Sequence, residues 1–243
     1  MPMTIEIARE KVLSTLPSKS IRLLERVEEK VGWKVNFLRA DASDYGLREE
    51  DDIPAAGEFY PTSSRILLFT DVICPGQITH ELLHFEQIYC LGVPMLEALP
   101  SLKSFFLAIT GLIEHLVIVP LEADYGFANP EKWNESTLRN WNLFLLEEEP
   151  DFVKSWRLIE TWLSCNELGS DQAIIDTVTS YLIANDGLSQ ATKLHSDVMG
   201  NLEERPMVVA IICQAMGIDT ARLSLQKIDL LTHSYQPVDI PSL

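Results

Sequence analysis

Apolar residues recur at helical spacing from about Thr4 to Leu16, and again after Ser20, where Ile21, Leu24, Val27 and Val31 share one face before Gly32. Two amphipathic helices are therefore expected to open the chain. The period then changes: Trp33, Val35 and Phe37 alternate with Lys34 and Asn36, as in a half-buried strand. A polar, acidic stretch follows from Asp41 to Asp52. Ser43 and Tyr45 interrupt the ligand alternation that a calcium loop requires, so the stretch reads as a solvated loop. Two β-prone runs, Glu58–Tyr60 and Arg65–Phe69, flank Pro61-Thr62-Ser63-Ser64 and predict a hairpin. Pro75-Gly76 breaks the pattern, and the segment from about Gln77 to Cys90 reads as a helix stopped by Gly92 and Pro94.

Ser101 is placed to cap another helix running to Val119, where Pro120 interrupts or kinks it. Beyond Asn129-Pro130 helical periodicity prevails, with candidates near Thr137–Glu147, Phe152–Leu168, Asp171–Ala184, Leu188–Leu202 and Met207–Met216. The expected fold is α+β. A small mixed sheet with a histidine-bearing helix would occupy residues 1–130, and a mainly helical lobe residues 131–243.

Composition narrows the possible partners. With 243 residues, 47% of them hydrophobic, the chain can bury a sizeable core. Its 36 acidic and 19 basic residues give a formal charge of -17, which provides no electrostatic drive toward nucleic acid or anionic membranes. The stretch from Leu102 to Leu121 has the length of a membrane span, but it carries Lys103, Glu114 and His115 and reads as a buried helix. Cys74, Cys90, Cys165 and Cys213 are widely spaced and form no CxxC pair, so they are expected as buried thiols. No secretory signal is legible at the amino terminus, and a cytoplasmic protein is expected. Oligomeric state is not legible.

Candidate chemistry centres on His80-Glu81-Leu82-Leu83-His84. Residues four apart on a helix project from one face, so His80 and His84 can offer two imidazole nitrogens to one zinc ion. Glu81 lies about 100° around the helix from His80, within reach of a water at the metal, and is the candidate general base. The segment resembles the zincin metallopeptidases, whose active-site helix carries this His-Glu-x-x-His pattern and follows a mixed sheet. The likeness covers roughly residues 33–125. It implies zinc bound by His80 and His84, Glu81 as the base, and hydrolysis of a peptide bond in a peptide or protein substrate. It also implies a sheet edge that pairs with extended substrate, for which Arg65–Phe69 is the candidate strand.

A catalytic zinc usually takes a third protein ligand. In the metzincin pattern this would be a histidine at position 90 with a glycine at 87, where the chain has Cys90 and Gln87. A gluzincin-like arrangement instead takes a glutamate from a later helix, and Glu114 lies on such a segment. From Leu112 to Leu121 only Glu114 and His115 are polar, and burying them requires a metal or a strong polar partner. Gly111 would let another helix approach there. Position 118, where many gluzincins carry an acidic residue, is Ile118. His115 is the alternative ligand, with Glu114 orienting it, and Glu122 a further one. With Glu114 bound, His115, Tyr125 and His195 are candidates to stabilise an oxyanion. His195 and His233 otherwise read as ordinary surface or core residues. The competing function is a non-catalytic zinc-binding regulatory or interaction protein on the same scaffold.

Overall fold

A computed structural model describes residues 3–45, 54–98, 103–146 and 151–243. Its architecture is mixed α and β with helix predominant: among the described residues there are nine α-helices and two small sheets. Two compact units are distinguished. The first comprises Met1–Pro94, Asp124–Phe127 and Lys227–Gln236, the second Met95–Ala123, Ala128–Gln226 and Pro237–Leu243.

The first unit opens with strand β1 (Thr4–Glu6) and only then a short helix, α1 (Arg9–Leu13), in place of one helix to Leu16. The correction has a tertiary cause. Thr4, Ile5 and Glu6 pair antiparallel with Ala40, Arg39 and Leu38, and the ladder outweighs the local helical period. Helix α2 (Ser18–Val31) ends as expected at Gly32, whose φ of 81° is a left-handed cap. Strands β2 (Val35–Ala40), β3 (Ala55–Tyr60) and β4 (Ser63–Leu68) complete a sheet ordered β1-β2-β4-β3, in which only β2 and β4 run parallel. β4 is thus paired on both sides. The expectation that Arg65–Phe69 forms the open edge is overturned, and β3 takes that place.

Helix α3 (Pro75–Phe85) packs against α2 and β3 and continues through a π-helical turn, Glu86–Cys90. Leu23, Leu24, Phe37, Ile66, Ile78 and Phe85 are fully buried in this unit. Glu28, also buried, accepts from Arg9 Nη2 at 2.8 Å, Lys34 Nζ at 2.7 Å and the Val35 amide at 3.0 Å, which fixes α1 and β2 to α2. In the acidic stretch the Asp41 carboxylate accepts from the Ser43 amide and hydroxyl, an Asx-type turn. The rest of that stretch, 46–53, lies outside the described residues, as does the Ser101 cap.

In the second unit, α4 (Lys103–Asp124) continues past Val119 with Pro120 inside it, so the proline does not end the helix. Helices α5 (Pro130–Phe144), α6 (Asp151–Glu167), α7 (Gln172–Ala184), α8 (Leu188–Gly200) and α9 (Arg205–Ala215) follow. Ile109, Ile113, Leu163, Val198, Val208 and Ile212 form one core cluster, and Trp141, Trp162 and Val178 belong to another. Helical periodicity did not extend to the end of the chain. β5 (Met95–Ala98) pairs antiparallel with β6 (Leu223–Asp229), and β7 (Ser234–Val238) completes the order β5-β6-β7. Among the described residues no helix is long and apolar enough to cross a membrane.

Candidate metal centre

Helix α3 begins with Cys74 in extended conformation and Pro75 in the first turn, where a missing N–H costs no helical hydrogen bond. Its register is held by the buried Ser20 Oγ–Thr79 Oγ1 hydrogen bond of 2.8 Å to α2, and just beyond it by Arg26 Nη2 on Glu86 Oε1 at 2.6 Å. Ile78, Leu82, Leu83 and Phe85 are buried and fix the helix rotation. His80 and His84 then lie one turn apart, edge to face. Their Nε2 atoms are 3.2 Å apart, with ring centroids 4.8 Å apart and planes at 76°. Tetrahedral zinc with bonds of 2.0–2.1 Å requires nitrogens about 3.3 Å apart, so this pair has the spacing of two ligands.

Glu81 is 7% exposed and lies against β3. Phe69 N donates to Pro54 O at 3.0 Å, and antiparallel alternation from that bond directs the amides and carbonyls of Ala55, Gly57 and Phe59 away from β4, to the open edge. At the far end the Tyr235 hydroxyl donates to Phe59 O at 3.1 Å. Tyr89, from the π-helical turn, accepts from Tyr60 N at 2.9 Å and braces the hairpin.

The other candidates on α4 belong to the second unit. Glu114, 8% exposed, faces Arg205 of α9, with Oε1 and Nη1 3.7 Å apart. Burial lowers the Arg205 pKa, and the Glu114 charge opposes that shift. His115 packs its ring 4.7 Å from Trp133. Both border a cavity of about 240 Å³ that also exposes Ser136, Asn140, Glu160 and Ser164. Burial pushes the Glu160 carboxyl up to about 7, against the pull of Arg157 and a hydrogen bond from Asn140. Glu122, two turns beyond His115, is buried.

The Cys90 thiol is half-buried in the π-helical turn, and burial raises its pKa, which disfavours the thiolate that a metal would need. Tyr125 receives a hydrogen bond from Arg26, and His195 pairs with Glu167 at 2.6 Å, so both have structural partners. His233 caps the β3–β4 turn through Pro61 O at 3.1 Å. Arg205 and Gly57 escaped the sequence reading. Only Gly57 carried a signal, as a glycine at the start of a β-prone run, which marks close approach by another group. Comparison with known proteins yields no match to a family model, a curated protein or a solved structure.

Proposed function

We propose that the chain is a zinc-dependent hydrolase of peptide bonds, with His80 and His84 as metal ligands and Glu81 as general base. The observation that carries the reading is that the Nε2 atoms of His80 and His84 lie 3.2 Å apart on α3, the spacing of two ligands on one tetrahedral zinc. Two imidazoles with one further protein ligand and an open fourth position are a donor set suited to catalytic zinc. Among the sequence's candidates for a third ligand, Glu114, His115 and Glu122, the Glu114 carboxylate already faces the buried Arg205 guanidinium. Zinc bound there supplies Lewis-acid chemistry, acidifying a water and polarising a carbonyl. Glu81 takes a proton from the attacking water on a carboxylate oxygen. It returns that proton to the departing amine nitrogen, so the peptide C–N bond breaks as the new C–O bond forms. The outward-facing amides and carbonyls of Ala55 and Gly57 offer an extended peptide a strand to pair with, which favours a peptide over other carbonyl substrates.

The test combines elemental analysis with a quenched-fluorescence peptide library. About one zinc per chain is expected. His84→Ala should lower zinc affinity at least about 100-fold, and Glu81→Gln should keep the zinc while lowering hydrolysis by about 100-fold or more. Zinc that survives His84→Ala sinks the ligand assignment. Hydrolysis that survives Glu81→Gln sinks the catalytic one, and zinc without hydrolysis in the unsubstituted protein leaves the non-catalytic reading standing.

A further inference from the structure

Gly57 occupies the middle of the edge strand β3, opposite Ile66 of β4. A methyl group at this position would lie 2.8 Å from Phe85 Cε1, 3.1 Å from Glu81 Oε2 and 3.2 Å from Phe59 Cζ. The backbone at Gly57 is not in the left-handed region, so the requirement for glycine is spatial. Three side chains converge on the hydrogen that glycine leaves there. Phe85 is fully buried and packs edge-to-face on Phe59 with centroids 4.8 Å apart, so these rings have little room to retreat. The Glu81 carboxylate is the end of a flexible side chain, and it yields first.

Resting on the hydrolase reading above, we infer that Gly57 is a positioning residue: its missing side chain lets the Glu81 carboxylate lie directly against the outward-facing backbone of β3. Base and substrate-pairing strand then share one place. A peptide added to this edge at Gly57 brings its backbone beside Glu81 Oε2, and the contact fixes which substrate bond meets the base. Any side chain at 57 separates the two by turning the carboxylate aside, while His80 and His84 stay on α3 where the buried face of that helix holds them. The effect therefore falls on turnover and not on metal binding.

The test uses the zinc-loaded full chain and two variants, Gly57→Ala and Gly57→Ala/Phe85→Leu, the second removing the ring that a new methyl would strike so that folding is spared. Both should retain zinc at the wild-type stoichiometry. kcat on the best library peptide should fall about 10- to 100-fold, with KM changed less than about threefold, since the misplaced group is a general base. Phe85→Leu alone should lose much less than the double variant. If Gly57→Ala/Phe85→Leu retains zinc and turns over within twofold of Phe85→Leu, the inference is overturned and the hydrolase reading stands. A loss confined to KM, or shared equally with zinc loss, overturns it too. If the unsubstituted protein holds no zinc, or its hydrolysis is indifferent to Glu81→Gln, the underlying reading fails and this inference goes with it.

Discussion

Glu81 of α3 and Glu114 of α4 are buried to nearly the same degree, at 7% and 8% exposure, but their surroundings differ in kind. Glu114 faces a guanidinium that is itself 4% exposed. Glu81 faces the backbone of an edge strand and sits between two histidines whose Nε2 atoms converge to 3.2 Å. Burial of a carboxylate therefore does not by itself mark a reactive site. A fixed counter-ion makes the group a structural charge, whereas Glu81 lies against a strand edge beside two converging imidazoles.

The comparison breaks most visibly at Arg205. Its Nε and Nη1 atoms have no hydrogen-bond partner among the described residues, and the Glu114 carboxylate supplies its compensation at 3.7 Å. Removing the cation leaves the buried Glu114 carboxylate without the opposite charge it faces. Arg205→Leu should cost about 3–4 kcal/mol of unfolding free energy in urea, and Arg205→Leu/Glu114→Leu should recover most of it. Glu81→Gln, which removes a buried charge of the other kind, should stay within about 1 kcal/mol of wild type. Equal losses at Glu81 and Arg205 would erase the distinction between the two helices.

Glu160, a partly buried carboxyl of the helical unit, sharpens the contrast through pH. The folded-state pKa of Glu160 is pushed up to about 7 from an ordinary 4.5 by burial. A carboxyl raised in the native state favours folding while it stays protonated, so its contribution is complete below about 4.5 and is lost as pH rises toward 7. The loss is at most about 3 kcal/mol, from 1.36 kcal/mol per pKa unit. Denaturant titrations across this window should show wild-type stability falling relative to Glu160→Gln. Parallel pH curves for the two proteins would show that Glu160 titrates in the folded chain as it does in the unfolded one.

Local chemistry was legible where it is written in contiguous residues. The period of α2, its stop at Gly32, the alternation of β2, the β3–β4 hairpin and the helical placement of His80 and His84 all follow from neighbours in sequence. What escaped depends on pairing across distance. Thr4–Glu6 becomes a strand because Leu38–Ala40 lies ready to pair with it, and β6 and β7 interrupt a helical tail for the same kind of reason. The choice between β3 and β4 as the edge was hidden too, since a hairpin pattern does not say which arm the parallel partner β2 joins. At the candidate site, the partner of Glu114 was hidden for the same reason, because Arg205 lies ninety-one positions downstream.

The smallest expected effect concerns how the two kinds of helix begin. α5 and α7 start with side-chain caps: Asn129 accepts from the Lys132 amide at 3.1 Å, and Asp171 from the Ala173 amide at 3.3 Å. α3 starts at Cys74, which has no side-chain cap hydrogen bond although its φ of -95° and ψ of 110° suit a capping residue. Cys74 is exposed, and its side chain is a poor acceptor. Cys74→Asp should therefore raise thermal stability by about 0.5–1 kcal/mol through a new bond to an amide of the first turn and a favourable charge at the helix N-terminus. Asp171→Ala should lower it by a similar amount. Zinc content and turnover should be unchanged in Cys74→Asp, since position 74 lies six residues before His80, well short of the ligand turn. A stabilised Cys74→Asp variant with impaired turnover would show instead that the uncapped start of α3 is part of how the site works.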